Sequence, residues 1–167
     1  MSTMAETKVT TEVYRVYIKA TPQAIWDAIT KPEWTQRYGY RGIVEWDDLA
    51  PGGKYRFLAP ADMRAMGMPE VVVDGEVIEA DPPRKLVQTW RALWDEEVAA
   101  ESTRVTYDIE EDDLGLTRLT VTHELEGAPK TAAQVTSLAR ITEGGGGWVM
   151  ILSDLKTLLE TGNSFSN

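Results

Sequence analysis

A chain of 167 residues with 17 Lys and Arg against 27 Asp and Glu carries a formal net charge of −10. That balance lacks the basic face needed to neutralise phosphates, which argues against nucleic acid and against anionic membrane surfaces. There is no cysteine, so disulfides, thiolate metal sites and thiol nucleophiles are excluded.

At this length one domain buries roughly 70% of its unfolded surface, enough for a core without staples. No apolar run approaches the ~20 residues of a membrane span, and Met1–Glu12 lacks the charged and apolar regions of a signal peptide. The expectation is a soluble, cytoplasmic protein without membrane insertion.

Val13–Ala20 alternates, with Tyr14, Val16 and Ile18 on one face and Arg15 and Lys19 on the other, which predicts a half-buried strand. Thr21 then suits a helix N-cap and Pro22 a first helical position. Ile25, Trp26 and Ile29 form an apolar stripe. Pro32 breaks this helix and starts a second short one through Tyr38.

From Gly42 the period returns to two. Gly42–Trp46, Lys54–Ala59, Glu70–Ala80, Lys85–Leu93, Thr103–Glu111 and Leu116–Leu125 read as strands. Turn signals separate them at Pro51–Gly53, Asp81–Arg84 and Asp112–Gly115. Connections this short make antiparallel hairpins, because a parallel crossover needs about a dozen residues or more. Ala59–Glu70 is a longer connection carrying Met63, Met66 and Met68, and reads as a lid over a cavity or as a mobile loop. A helix is expected within Gly127–Ile141, around Val135, Leu138 and Ile141.

Glycines at Gly144–Gly147 lead into the last helix, Trp148–Thr161, with Gly162 placed to end it. Trp148, Ile151, Leu152, Leu155 and Leu159 share one face, while Ser153, Asp154, Lys156, Thr157 and Glu160 fall largely elsewhere. The only large partner for that face is the sheet. The order of elements predicts an α+β fold. An antiparallel, strongly curved sheet of about six to seven strands wraps around the long C-terminal helix, with two short helices after the first strand. One domain is expected over 11–162, with flexible termini at 1–10 and 163–167.

ATPQAIWDAITKPEW near the start, GEVIEADPPRKLVQTW in the middle and GGGWVMILSDLKTLLE at the end resemble the SRPBCC superfamily. They are more closely similar to bacterial domains related to the activator of the 90-kilodalton heat-shock protein's ATPase. The resemblance covers roughly Val13–Glu160. Trp26, Pro32, Gly75, Glu79, Pro82, Pro83, Trp90, Gly146, Trp148, Leu152, Leu155 and Lys156 match family positions, mostly structural ones. It implies the helix-grip architecture with a cavity between sheet and helix, and members that bind lipids, hormones or polyketides or catalyse. It supplies no universal catalytic residue.

Two side chains are candidates for chemistry. His123 shares a face with Leu119 and Val121 and so points inward, as a general base or ligand contact, or as a histidine satisfied by a neighbour. Glu79 shares the Val77 face if its strand is regular, where burial would raise its pKa; otherwise it is an edge residue paired with Arg84 or Lys85.

The expected cavity lining is Trp46, Tyr55, Phe57, Val77, Gln88, Trp90, Tyr107, His123, Trp148, Ile151, Leu152 and Leu155, aromatic-rich with Gln88 as a polar contact. Trp94 belongs to the same aromatic set. Glu143–Gly147 lacks the Lys-Ser/Thr of a phosphate loop, and Glu110–Asp113 lacks the spacing of a calcium loop. No metal or cofactor is implied.

The leading function is binding of a small hydrophobic or aromatic molecule, which requires no catalysis. The alternatives are a protein-interaction module acting on a chaperone or another protein, and a cyclase- or hydrolase-like enzyme using the same cavity. Both monomer and homodimer are compatible with an exposed edge strand.

Overall fold

The computed structural model describes residues 10–137, 140 and 145–165. Seven strands form one antiparallel sheet: β1 (Thr11–Ile18), β2 (Ile43–Trp46), β3 (Lys54–Leu58), β4 (Val71–Asp81), β5 (Lys85–Ala92), β6 (Thr103–Glu111) and β7 (Thr117–Glu124). Their order is β1-β7-β6-β5-β4-β3-β2, so every neighbour but one is a sequence neighbour. The exception sets β1, the first strand, beside β7, the last.

Between β1 and β2 lie α1 (Pro22–Thr30) and α2 (Pro32–Thr35). Thr21 caps α1 by accepting from the Ala24 N–H at 3.1 Å, and Pro22 occupies its first turn. Pro32 ends α1 and opens α2, which stops at Thr35 instead of reaching Tyr38. Tyr38 turns inward, and its hydroxyl donates to the Ala28 carbonyl at 2.9 Å. Two short helices that carry no clear period, α3 (Ala61–Ala65) and α4 (Glu96–Ala99), sit in the β3–β4 and β5–β6 connections. Helix α5 (Pro129–Val135) occupies the expected segment; Leu138 and Ile141 lie outside the described residues.

The long helix α6 (Gly147–Thr161) lies against the concave side of the sheet. Trp148, Leu152, Leu155 and Leu158 join a core with Ile18 of β1, Tyr55 of β3, Leu86 and Trp90 of β5, and Leu119 and Val121 of β7. The glycines ahead of it have a specific job. Gly146 and Gly147 adopt φ of 100° and 49°, a region side chains disfavour, and this reversal aims the helix into the groove. Tyr40 holds the reversal, donating to the Gly145 carbonyl at 2.8 Å and accepting from the Gly147 N–H at 3.0 Å.

The burial of α6 is wider than its apolar stripe. Asp154 is fully buried, because the helix is covered on a second flank by the α2–β2 loop and the C-terminal tail. Its carboxylate accepts from the Gly39 N–H at 2.9 Å, the Ser164 hydroxyl and the Phe165 N–H at 2.8 Å. The tail expected to be loose is therefore tied down at Ser164 and Phe165.

Gly75 faces Tyr55 across the β3–β4 pair, where the chain is tightly packed. A Cβ at Gly75 would stand 2.1 Å from the Thr89 carbonyl oxygen and 2.7 Å from Tyr55 Cε1. Tyr55 uses that space to donate its hydroxyl to the same Thr89 oxygen at 2.6 Å. Gly75→Ala is expected to destabilise by about 3 kcal/mol in urea unfolding. Gly115→Ala, in an open turn at φ 77°, is expected to cost about 1 kcal/mol. Equal costs would show that Tyr55 does not close over Gly75 as described.

Candidate functional site

Antiparallel register lines up the inward side chains in rows across the sheet. One row runs Val77, Gln88, Val105, His123 and Glu12; the next runs Leu86, Tyr107, Val121 and Tyr14. The expected lining residues are brought together there, and they pack on one another. Tyr55 lies 5.4 Å from Trp46 and 6.2 Å from Phe57, centroid to centroid, while Trp90 meets His123 at 4.9 Å and Tyr107 meets Trp148 at 6.1 Å. Val77, Leu152 and Leu155 are buried among them, and Ile151 is half-buried beside Gly39. The middle of the groove is thus occupied by side chains.

His123 is fully buried at the centre of this wall. The Trp148 indole N–H donates to Nδ1 at 3.1 Å. Nε2 lies 2.8 Å from the Thr103 hydroxyl, which itself donates to the Trp90 carbonyl at 2.8 Å. With its proton committed there, Thr103 can only accept, so the ring is the neutral Nε2–H tautomer. Both nitrogens are engaged, and burial pushes the imidazole down to about 4. His123 is a structural keystone with no free nitrogen to act as a base.

One buried polar atom stays unsatisfied. Gln88 is 1% exposed, and its Oε1 has no hydrogen-bond partner among the described residues.

The open concavity lies beside Trp148. It is a cleft of about 410 Å³ between the start of β1, the end of α5 and the start of α6. Glu12, Tyr14, Val135, Thr136, Ser137, Gly146, Trp148 and Val149 line it. Trp148 is pinned from behind by His123 and presents its remaining surface here. Burial, and then the Glu12 charge, push the Tyr14 phenol above its ordinary value. Among the described residues, no group of three or more His, Asp and Glu is placed to hold a metal ion, and no helix is long and apolar enough to cross a membrane.

A family model described as "Activator of Hsp90 ATPase homolog 1-like protein" matches residues 19–160. The chain belongs to that family. No curated protein matches it. Among solved structures, DynU16, a protein of the dynemicin biosynthetic locus, is similar with a TM-score of 0.67 at 20% identity, over 93% of this chain and 49% of that one. This chain therefore spans about half the length of DynU16. The Aha1 dimer from Colwellia psychrerythraea gives 0.60 at 16% identity, over 92% and 98% of the two chains. PFC0360w, an HSP90 activator from Plasmodium falciparum, gives 0.54 at 21% identity, over 95% and 93%. At such identities the likeness establishes the fold, the helix-grip of this family.

In this family member Glu79 does not face the groove. Val77 pairs with Gln88 but Glu79 pairs with Val87, so Ile78 is a β-bulge. The extra residue inverts the alternation and turns Glu79 out to solvent. Of its two expected partners, Arg84 and Lys85, Arg84 bonds Asp81 instead. Met63 and Met68 are half-buried and Met66 is 84% exposed, on and after α3. Trp94 closes on Trp90 at 6.1 Å and donates to Gln134 of α5.

Sequence reasoning missed most of the cleft. Tyr14 already lay on the inward face of β1, and Glu12 was reachable by extending that face by one step. Val135–Ser137 carry no such signal, because their place depends on how α5 docks. Glu101 sets that docking, accepting from the Lys130 and Thr131 N–H groups at 3.1 and 2.7 Å.

The buried imidazole makes stability depend on pH. An unfolded histidine takes a proton near its ordinary 6.5, whereas the folded ring refuses one until about 4. Between those values the unfolded state binds more protons, so stability falls as pH falls through that window, by about 3 kcal/mol. Chemical denaturation from pH 7 to 4 is expected to show this loss in the wild type. His123→Phe, less stable at every pH, should lack one proton's worth of the slope. An unchanged slope in the variant would contradict the neutral, doubly bonded ring.

Proposed function

We propose that the protein binds a small apolar or aromatic molecule in the cleft between β1, α5 and α6. The observation that carries this reading is the 410 Å³ concavity against Trp148, with Tyr14, Val135 and Val149 as apolar walls and Glu12, Thr136 and Ser137 as polar contacts. Ligand sites combine a mostly apolar surface with a few polar groups in volumes of this size. Of the residues expected to line a cavity, Trp148 lines this cleft, with His123 and Tyr107 packed against it. A ligand burying ~300 Å² of apolar surface gains several kcal/mol at ~25 cal/mol/Å², enough for micromolar binding after ordering costs. The reading assigns no catalytic step, since His123 has both nitrogens occupied and Glu79 lies outside.

A second reading is favoured by the family description and by the likeness to an HSP90 activator: a module that docks on a chaperone ATPase. An acidic surface suits a basic partner face. The Colwellia Aha1 dimer supports the homodimeric alternative for the oligomeric state.

Ligand-observed NMR against lipids and aromatic compounds tests the first reading. Val149 is 62% exposed, so Val149→Arg leaves the fold intact while placing a charge in the apolar wall. At least one aromatic compound is expected to bind with micromolar affinity, weakened tenfold or more by Val149→Arg. No binding, or binding indifferent to this substitution, would overturn it. Stimulated ATP turnover when the protein is added to an HSP90 would instead favour the second reading.

A further inference from the structure

Half of the β1 edge is left open. The phase of the β1–β7 ladder is fixed by the Leu125 N–H donating to the Thr10 carbonyl at 2.7 Å. Antiparallel pairs alternate between hydrogen-bonded and non-bonded. Glu12, Tyr14, Val16 and Ile18 therefore bond to β7, and Thr11, Val13, Arg15 and Tyr17 turn their N–H and C=O groups away from the sheet. An independent contact agrees with this phase: Lys156 Nζ reaches the outward Tyr17 carbonyl at 2.7 Å.

Parts of the sheet's two edges are managed. Beyond Tyr17, the Lys19 N–H donates to Glu160 at 2.8 Å. On the opposite edge, the Val44 N–H donates to the Thr35 hydroxyl at 3.3 Å. The main-chain groups of Thr11, Val13 and Arg15 have no hydrogen-bond partner among the described residues. An unpaired row of this kind is a template for another strand. The Val13 side chain beside it is 45% exposed.

The cleft adjoins this same stretch, and Glu12 and Tyr14, which flank Val13, are two of its walls. In a strand added to β1, side chains opposite Glu12 and Tyr14 would share their face and enter the cleft. The side chain opposite Val13 would lie on the other face, over Val13. Glu12 is the charged side chain of the cleft lining, and Arg15 points to the opposite face.

We propose that Thr11–Arg15 accepts an extended peptide in antiparallel register, reading an apolar, a β-branched and a basic residue in succession. The apolar residue lies opposite Tyr14, against Trp148 and Val149. The β-branched residue covers Val13, and the basic one meets Glu12. Main-chain bonds supply affinity and the alternate pockets supply specificity, as in strand addition generally. This rests on the open edge and stands apart from the small-molecule reading, although a peptide and a small molecule would compete for the cleft.

The probe is acetyl-Ser-Glu-Leu-Val-Lys-Thr-Ser-amide, compared with the same peptide N-methylated at its Val, which pairs with Val13. Titrations followed by amide NMR are expected to give sub-millimolar binding, with shifts at Thr11, Val13 and Arg15 and at least tenfold weaker binding of the N-methyl peptide. Val13→Pro removes only an outward N–H, which an edge strand tolerates. It should abolish peptide binding while leaving small-molecule binding in the cleft unchanged. Should that variant fail to fold, the two peptides on the wild-type chain decide alone. Equal binding of both peptides, or no binding at millimolar concentration, would overturn the proposal. So would a dimer that Val13→Pro dissociates, since that gives the edge to a second copy.

Discussion

The hydrogen bond from the Trp148 indole to an uncharged His123 is the constraint on which the rest of the molecule depends. It works only in one tautomer, because the other ring nitrogen must donate to a Thr103 hydroxyl already committed to a main-chain carbonyl. In a buried, low-dielectric setting such a chain is strong when complete and costly when any member is missing. It ties the first turn of α6 to β7, β6 and β5 together. The reversal at Gly146 and Gly147 and its clamp by Tyr40 follow from the need to deliver Trp148 to that point.

That anchoring separates core from site. Aromatic rings from β3, β5 and β6 fill the hollow of the sheet against the helix, so the hollow's centre contributes cohesion. The open space is displaced to the rim, where Trp148, held from behind, lines the cleft. The proposed binding at the rim needs no rearrangement of the core, and of the segments that frame it α5 lies outside the sheet. A fold shared by proteins of different roles is consistent with this division, since one fold hosts many functions.

Much of the architecture was legible because it follows simple periods. The strands alternate apart from one interruption in β4, and the cap at Thr21 and the stop at Gly162 use side-chain and backbone chemistry that is local. The inward direction of His123 followed from the same alternation, but its bonds did not, because Thr103 and Trp148 are 20 and 25 residues away. Alternation failed at Ile78, where one extra residue sent Glu79 to the opposite face. Polarity misled at Asp154, which looks solvated by type and is buried because Gly39, Ser164 and Phe165 supply donors from distant parts of the chain. The cleft was the least legible feature, being made where β1, α5 and α6 meet and by no motif of any one of them.

The most direct measurement of the central claim is the long-range ¹H–¹⁵N spectrum of the His123 ring across a pH titration. A protonated Nε2 and an unprotonated Nδ1 are expected from neutral pH down to about 4, together with a Trp148 indole proton protected from exchange. An Nδ1–H tautomer, or a ring that titrates near 6.5 with a freely exchanging indole, would contradict that claim.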